Sequence, residues 1–468
     1  MTAAAERDRP LLDRLLSIFT EVHEQEGMSA ILLSFNVFLL LAAYYVIKPV
    51  REALILAGGG AEVKSYAAAG QAMLLLLLVP VYGALADRLP RRRLLNVVTG
   101  FFTACLVAFY VLSHAHANIG VVFFLWVGIF NLMIVAQFWS FANDLYTKEQ
   151  GERLFPIVGF GASCGAVVGS AFTGRLIPLI GVPQLLLVAA AMLVMANWLG
   201  ARVDRRERAR CESGIPARFT TEKLPAATGE YQVEGKGPDA KTTVSFTGTT
   251  GRRGTFRLVF ASRYLLAIAV MILVLNWVNT TGEYILGKTV ARAAQDAVAH
   301  GTAHGLTEEE YIGEFYSNFF FGVNLLGMLL QLFVVSRLLK YLGVQVAVMV
   351  LPLLALSGYA FLAFAPILVV VRWVKTAENA TDYSLQNTVR NVLFLPTSRQ
   401  EKYKAKQAID SFFVRFGDVL SAILVYLGTT SLHLGTTGFA RVNLALALVW
   451  VGLALLVGRG YAQKTGAV

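Results

Sequence analysis

Along one otherwise apolar stretch of the chain, polar side chains recur at helical spacing: Lys375, Asn379, Asp382, Gln386 and Arg390. Steps of three and four residues put them on one face of a helix. An ionisable group inside a lipid-spanning segment costs about 2.5–3.5 kcal/mol on insertion scales, so such a stripe must face a bundle interior or an aqueous cavity. Other charges are embedded in apolar blocks in the same way. They are Lys48 with Arg51, Glu283 with Lys288, and Lys404 with Lys406 leading into Asp410, Arg415 and Asp418. Arg415 and Asp418 read as a structural ion pair, and Lys48 with Arg51 could snorkel outward if the span ends early. The cations Lys48, Arg51, Lys288, Lys375, Arg390, Lys404 and Lys406 outnumber Glu283 and Asp382. A positive cavity in a low dielectric is unfavourable until an anion fills it. The inventory therefore predicts binding of a multiply charged anion such as a phosphate ester, with Asn143 and Asn379 as hydrogen-bonding partners.

The elements that position these groups are membrane helices. Of 468 residues, 56% are hydrophobic and only 15% charged, with a mean hydropathy of +0.59. That is too little charge to coat a water-facing surface, which excludes a soluble enzyme and a disordered chain. The apolar residues come in blocks of about 20, the length that crosses a bilayer as a helix, without the alternation of a membrane barrel. The blocks predict an all-α polytopic membrane protein with twelve transmembrane helices at 30–56, 65–86, 94–113, 119–145, 155–179, 182–201, 263–290, 311–338, 344–364, 366–391, 407–431 and 438–459. Residues 1–29 form an N-terminal segment, 30–201 and 263–460 two six-helix bundles, 202–262 a mostly irregular linker and 461–468 a tail. With the N-terminus cytoplasmic, roughly 30 of the 41 basic residues fall in inside segments, which places both termini in the cytoplasm. The net charge of +11 is then an orientation signal and a contact for anionic lipid, with no nucleic-acid partner.

Three cysteines, Cys105, Cys164 and Cys211, show neither pairing nor metal spacing, and the pairs His114/His116 and His300/His304 have no carboxylate cluster beside them. No metal and no cofactor is expected. Gly161, Gly165 and Gly169 repeat every fourth residue, the pattern of close helix packing. Gly58-Gly59-Gly60 reads as an external turn. The run Gly282 to Thr289 matches G-x-x-x-x-G-K-[ST], but its place in a membrane span denies it the strand–loop–helix setting of a phosphate loop.

Six spans, a central linker and six more resemble the plan of the major facilitator superfamily. Gly83-Ala-Leu-Ala-Asp87-Arg88-Leu-Pro-Arg91-Arg92 is similar to that superfamily's Gly-x-x-x-Asp-Arg-x-x-Arg-Arg loop, which implies a gating role for Asp87, Arg88, Arg91 and Arg92. Further blocks resemble the non-mitochondrial ADP/ATP carriers, nucleotide transporters of plastids and intracellular bacteria. They are Lys48-Pro-Val-Arg51-Glu52, Phe138-Trp139-Ser-Phe141-Ala142-Asn143, Glu283 with Lys288, and Arg390-Asn-Val-Leu393-Phe394-Leu-Pro396-Thr397 followed by Lys402-Tyr-Lys404-Ala-Lys406-Gln-Ala408-Ile409-Asp410. Leu395 stands where that family has an Asp, and Pro49 interrupts the first block. The resemblance implies ATP:ADP antiport, or exchange of related phosphorylated anions, in a bacterial inner membrane, by a non-enzymatic monomer. It implies that Lys48, Arg51, Lys288 and Arg390 hold phosphate while Glu283 and Asp382 pair with the cations of the empty site. A proton-coupled facilitator of another solute is the alternative.

Overall fold

The computed structural model describes residues 26–88, 91–115, 117–212, 250–398 and 401–466. All regular structure in them is helical. The N-terminal part holds α1 (Glu26–Arg88), α2 (Arg91–His114), α3 (Gly120–Leu145), α4 (Lys148–Ile180) and α5 (Gln184–Glu212). The C-terminal part holds α6 (Thr250–Ala261), α7 (Arg263–Ala299), α8 (Glu308–Leu330), α9 (Ser336–Tyr341), α10 (Gly343–Leu362), α11 (Leu368–Thr381), α12 (Asn387–Val392), α13 (Lys406–Ala408), α14 (Val414–Thr430) and α15 (Thr436–Thr465). The segment expected to link the parts irregularly continues α5 through residue 212 and enters α7 through α6; residues 213–249 lie outside the described residues.

Among the described residues, nine helices are long and apolar enough to cross a membrane. The difference from the expected twelve has a local origin. α1 joins two of the expected spans across a kink at Gly60, and π turns at Asp382–Gln386 and Ile409–Phe413 interrupt two others. The glycine run at 58–60 is where the chain bends: Gly60 takes non-helical angles, φ 76° and ψ −179°, so α1 is two helical segments meeting at a kink, and its left-handed φ would strain a side chain. One residue thus supplies the bend.

The outer surface is apolar: Leu77, Phe101, Leu179, Phe361 and Trp373 are all more than half exposed. Such a belt is stable against lipid and not against water. Inside, packing is close. A Cβ on Gly161, Gly165 or Gly169 would run into Ser34 or the backbone of Phe38 and Ala42, so the glycine stripe of α4 seats α1 directly. Within the N-terminal part, Phe102, Phe109, Phe123, Trp126 and Phe130 join α2 to α3 through stacked and edge-on rings.

The two parts meet where α1 packs on α7, α8 and α14, and α4 on α8. Ser317 Oγ donates to Ser170 O at 2.6 Å, and Asn324 Nδ2 reaches Ala166 O and Ser170 Oγ. These contacts run from the middle of the helices to the end that carries the bend of α1 and the connections at 300–307 and 431–435. We call this the loop end; Glu26 and Thr465 lie at the terminal end.

Candidate functional site

At the seam between the parts, acidic and basic side chains alternate in one continuous ladder. Arg51 pairs with its neighbour Glu52, and Lys64, beyond the bend of α1, reaches Glu52 Oε2 at 2.6 Å. Lys64 also faces Glu283 of α7 across the seam at 3.9 Å. Glu283 lies 3.6 Å from Lys375 of α11, and Lys375 lies 3.0 Å from Glu378 one helical turn further on. Asn379 Nδ2 donates to Glu283 Oε1 at 3.0 Å, Lys375 Nζ donates to Asn279 Oδ1 at 2.7 Å, and Tyr359 OH donates to Glu378 Oε2 at 3.1 Å. Three cations meet three carboxylates, so the ladder is neutral. Its interior members Glu52, Lys375 and Glu378 are buried, while Glu283, with 26% of its side chain exposed, is the accessible carboxylate.

Beside the ladder lies Lys48. Its ammonium is 4.0 Å from the ring centre of Phe320 and between 5.3 and 5.9 Å from those of Tyr45, Tyr383 and Tyr44. It is 8% exposed and, among the described residues, makes no ion pair or hydrogen bond. Rings from α1, α8 and the π turn after α11 surround it, so it sits on the seam. Attraction to an aromatic face offsets only part of the cost of burying a cation.

Closer to the loop end, Lys288 donates to Glu62 Oε1 at 2.8 Å and to Tyr284 OH at 3.0 Å, and Tyr284 OH donates to the same carboxylate oxygen at 2.9 Å. The two charged members of this second cross-seam cluster are about one-third exposed, and Tyr284 is buried. Gly287 lies against Leu56 and Ala61, and Gly282 against Tyr359 and Lys375. The stretch that imitates a phosphate loop is therefore unbroken helix, its glycines spent on packing and its amides on helical bonds.

Other expected site residues lie elsewhere. Arg390 pairs with Asp410 at 3.5 Å on half-buried surfaces, Lys406 Nζ donates to Asn391 Oδ1 at 2.6 Å, and Lys404 is exposed. Arg390 is roughly 22 Å along its helix from Lys375 at about 1.5 Å per residue. Asn143 is exposed on the last turn of α3, roughly 28 Å along that helix from Phe124, the ring beneath Arg51. Asp382 begins the π turn, and its side chain makes no ion pair or hydrogen bond among the described residues. Arg415 and Asp418 do pair, at 3.6 Å, with Asp418 also accepting from Asn276 and Thr280. The side chains of Asp87, Arg88, Arg91 and Arg92, and those of His116 and Cys211, lie outside the described residues.

The expectation of an uncompensated positive cavity needs correction. Arg51, Lys288, Lys375 and Arg390 each have a carboxylate partner, because Glu52, Glu62, Glu378 and Asp410 complete the inventory. Among the described residues the buried excess narrows to one side chain, Lys48, since Lys404 and Lys406 lie nearer the surface. Glu378 was readable in the sequence, three residues after Lys375 and so on the same helix face. Glu62 and Lys64 were hidden by the glycine run, which reads as a solvent-exposed turn.

Comparison with known proteins places the fold. The model for the Major Facilitator Superfamily matches residues 29–378, about three-quarters of the chain. The chain belongs to the major facilitator superfamily. It is a multi-pass membrane transporter of that superfamily and not an enzyme. ADP,ATP carrier protein 1 of Rickettsia bellii is 20% identical over an alignment covering 94% of each chain. ADP,ATP carrier protein 2 of Chlamydia trachomatis serovar D is 22% identical over 72% of this chain and 64% of its own length. Among solved structures, a bacterial homologue of the iron transporter ferroportin in an inward-facing state superposes with a TM-score of 0.59 at 14% identity, over 94% of this chain and all of that one. Nucleoside transporter NupG gives 0.57 at 14% identity, over 93% and 99%. At such identity these structures speak for the major facilitator fold alone.

Proposed function

We propose that this major facilitator exchanges nucleotide-like phosphorylated anions of the ATP/ADP kind by alternating access between two six-helix bundles that together cross the membrane twelve times. The observation that carries the reading is Lys48, a buried cation on the seam with four aromatic rings and no carboxylate partner among the described residues. A phosphate beside it supplies the missing charge, and the tyrosine rings offer faces for a base to stack on. The names of the Rickettsia and Chlamydia relatives support the same substrate class.

In this reading Lys48 and Arg51 meet the phosphates first. Glu283 holds Lys64 and Lys375 in the empty site and yields them to the incoming anion, with Asn379 released to donate to it. This exchange keeps the ladder of the empty carrier neutral, leaves only Lys48 uncompensated until the anion arrives, and favours antiport over leak. Lys288 with Glu62 closes the loop end. Arg390, Lys404, Lys406 and Asn143, at the terminal end, form the approach path, with Asp382 on the polar stripe between Lys375 and Arg390. Asp87, Arg88, Arg91 and Arg92 gate the terminal end. The carrier works as a monomer in a bacterial inner membrane with both termini in the cytoplasm.

Counterflow tests the reading. Proteoliposomes preloaded with ATP, ADP, other nucleotides, inorganic phosphate or a sugar phosphate are exposed to labelled ATP. Accumulation driven by internal nucleotide and absent with empty vesicles is expected. Uptake indifferent to every phosphorylated species on either side would overturn it.

A further inference from the structure

A second polar site lies away from the seam, inside the N-terminal part. Asn36 of α1, Asn96 and Thr99 of α2, Gln137 of α3 and Asn197 of α5 line one cavity of about 40 Å³, counted at the centres of water-sized occupants. At about 10–15 Å³ for each water, that is room for about three. The space exists because α5 presents Ala196, Gly200 and Ala201 to it, none of which has a side chain long enough to fill it. Gln137 is 4% exposed, and both polar atoms of its amide are buried with no partner among the described residues. A bare amide inside a helical bundle is costly, so Gln137 points to an occupant that both donates and accepts. Asn36 spends its Nδ2 on Ala196 O, which leaves its oxygen to accept from the same occupant.

The cavity reaches the outer surface at Asn96, which is exposed. Around that opening Val97, Phe101 and Trp198 are each half exposed or more, so it lies on the apolar belt that faces lipid. Arg202 sits over the Trp198 ring at 4.1 Å, an aromatic and a cation of the kind that mark headgroup depth. Arg93 and Arg202 are exposed, and neither makes an ion pair among the described residues. Asp204 also lines the cavity, so its interior suits a hydroxyl that donates and repels a second anion. Cations outside, carboxamides and a carboxylate within, divide the ligand into a charged part and a hydroxylated part. We propose that this cavity holds the headgroup of an anionic phospholipid with free hydroxyls, its phosphodiester on Arg202 and Arg93 and its acyl chains along Val97 and Phe101. Gln137 then accepts from one hydroxyl and donates to another, and a three-carbon glycerol headgroup is of a size with the three waters it displaces. The site belongs wholly to the N-terminal part, so it stands whatever the carrier transports.

The test titrates the full chain, purified in detergent, with phosphatidylglycerol or with phosphatidylmethanol of the same acyl chains, and counts bound lipid by native mass spectrometry. The two lipids carry equal charge, and only the first has free headgroup hydroxyls. Wild type is expected to bind one phosphatidylglycerol about five- to tenfold more tightly than phosphatidylmethanol, the gain from one or two net hydrogen bonds. Gln137→Leu should bring the two lipids to within about twofold of each other. Arg202→Gln should weaken both alike. Asn96→Ala, at an exposed position that tolerates change, should also narrow the preference, and it serves if Gln137→Leu does not fold. Equal binding of the two lipids by wild type would mean that the cavity holds water alone, which overturns the proposal. So does a preference unaltered in whichever of these two variants folds, or an Arg202→Gln variant that binds both lipids as wild type does. Displacement of the bound lipid by excess water-soluble glycerol 1-phosphate would make the occupant a free phosphate ester and overturn the lipid assignment; retention of the lipid supports it.

Discussion

Replacing Lys48 by Met separates binding from stability, because the two should move in opposite directions. Burying an unpaired ammonium costs several kcal/mol. Four rings return part of this, at about 0.5–2 kcal/mol for a close contact, and only Phe320 lies as near as 4.0 Å. Met keeps the length and apolar bulk of the side chain while removing the charge, so the empty protein should melt at the same temperature as wild type or higher. For a bound phosphate about 4 Å from the ammonium, at an effective dielectric near 20, the attraction is about 4 kcal/mol. Water entering the vacated space recovers some of that, leaving about 2–3 kcal/mol, which is about 30- to 150-fold in Kd at 1.4 kcal/mol per factor of ten. Calorimetric titration of purified protein with ATP, alongside thermal melting without it, reads both quantities. Lys48→Met binding ATP within about threefold of wild type, or melting more than about 5 °C lower, would refute the reasoning.

Three further outcomes follow from the geometry. The partly exposed Lys288–Glu62 pair should contribute about 0.5–1 kcal/mol to closure of the loop end, so Glu62→Gln should speed maleimide labelling of Ala61→Cys about two- to fivefold. Adding Lys288→Met should then have little more effect, and strictly additive effects would mean the pair does not act as one. Gly165→Val should abolish correctly folded protein, since any Cβ there meets the backbone of Phe38, whereas Gly159→Ala, with open space around it, should fold normally and elute unchanged from size exclusion. Purified protein given ATP and magnesium should release phosphate no faster than the Lys288→Ala variant, because the G-x-x-x-x-G-K-T run is continuous helix.

Much of the architecture could be read from residue order alone. Apolar blocks of membrane-crossing length give the helices, and the spacing of Gly161, Gly165 and Gly169 gives the face that seats α1. The stripe of α11 was legible for the same reason, since helical periodicity depends only on neighbours in the chain. What could not be read was who meets whom across the seam. Glu62 and Lys288 are 226 residues apart, and nothing near either one names the other. The glycine run at 58–60 compounded this. Glycines favour a turn, and only the packing of Gly58 beside Asn118 and of Ala61 beside Gly287 shows that the kink at Gly60 lies against the other helices. Once Lys64 is assigned to a loop it is placed in water, and the carboxylates that balance the buried cations drop out of the count. Similarly, π turns at Asp382 and Ile409 leave no mark in hydropathy, although they set the direction in which Tyr383 and Asp410 project.

The most direct measurement is a cryo-electron microscopy structure of the full chain with ATP bound. Density for the phosphates should lie within hydrogen-bonding reach of Lys48 and Arg51, with Glu283 turned away from Lys375. ATP bound outside the seam, or a Lys48 still enclosed by Phe320 and the three tyrosines with Glu283 unmoved, would contradict an anion carrier built around that lysine.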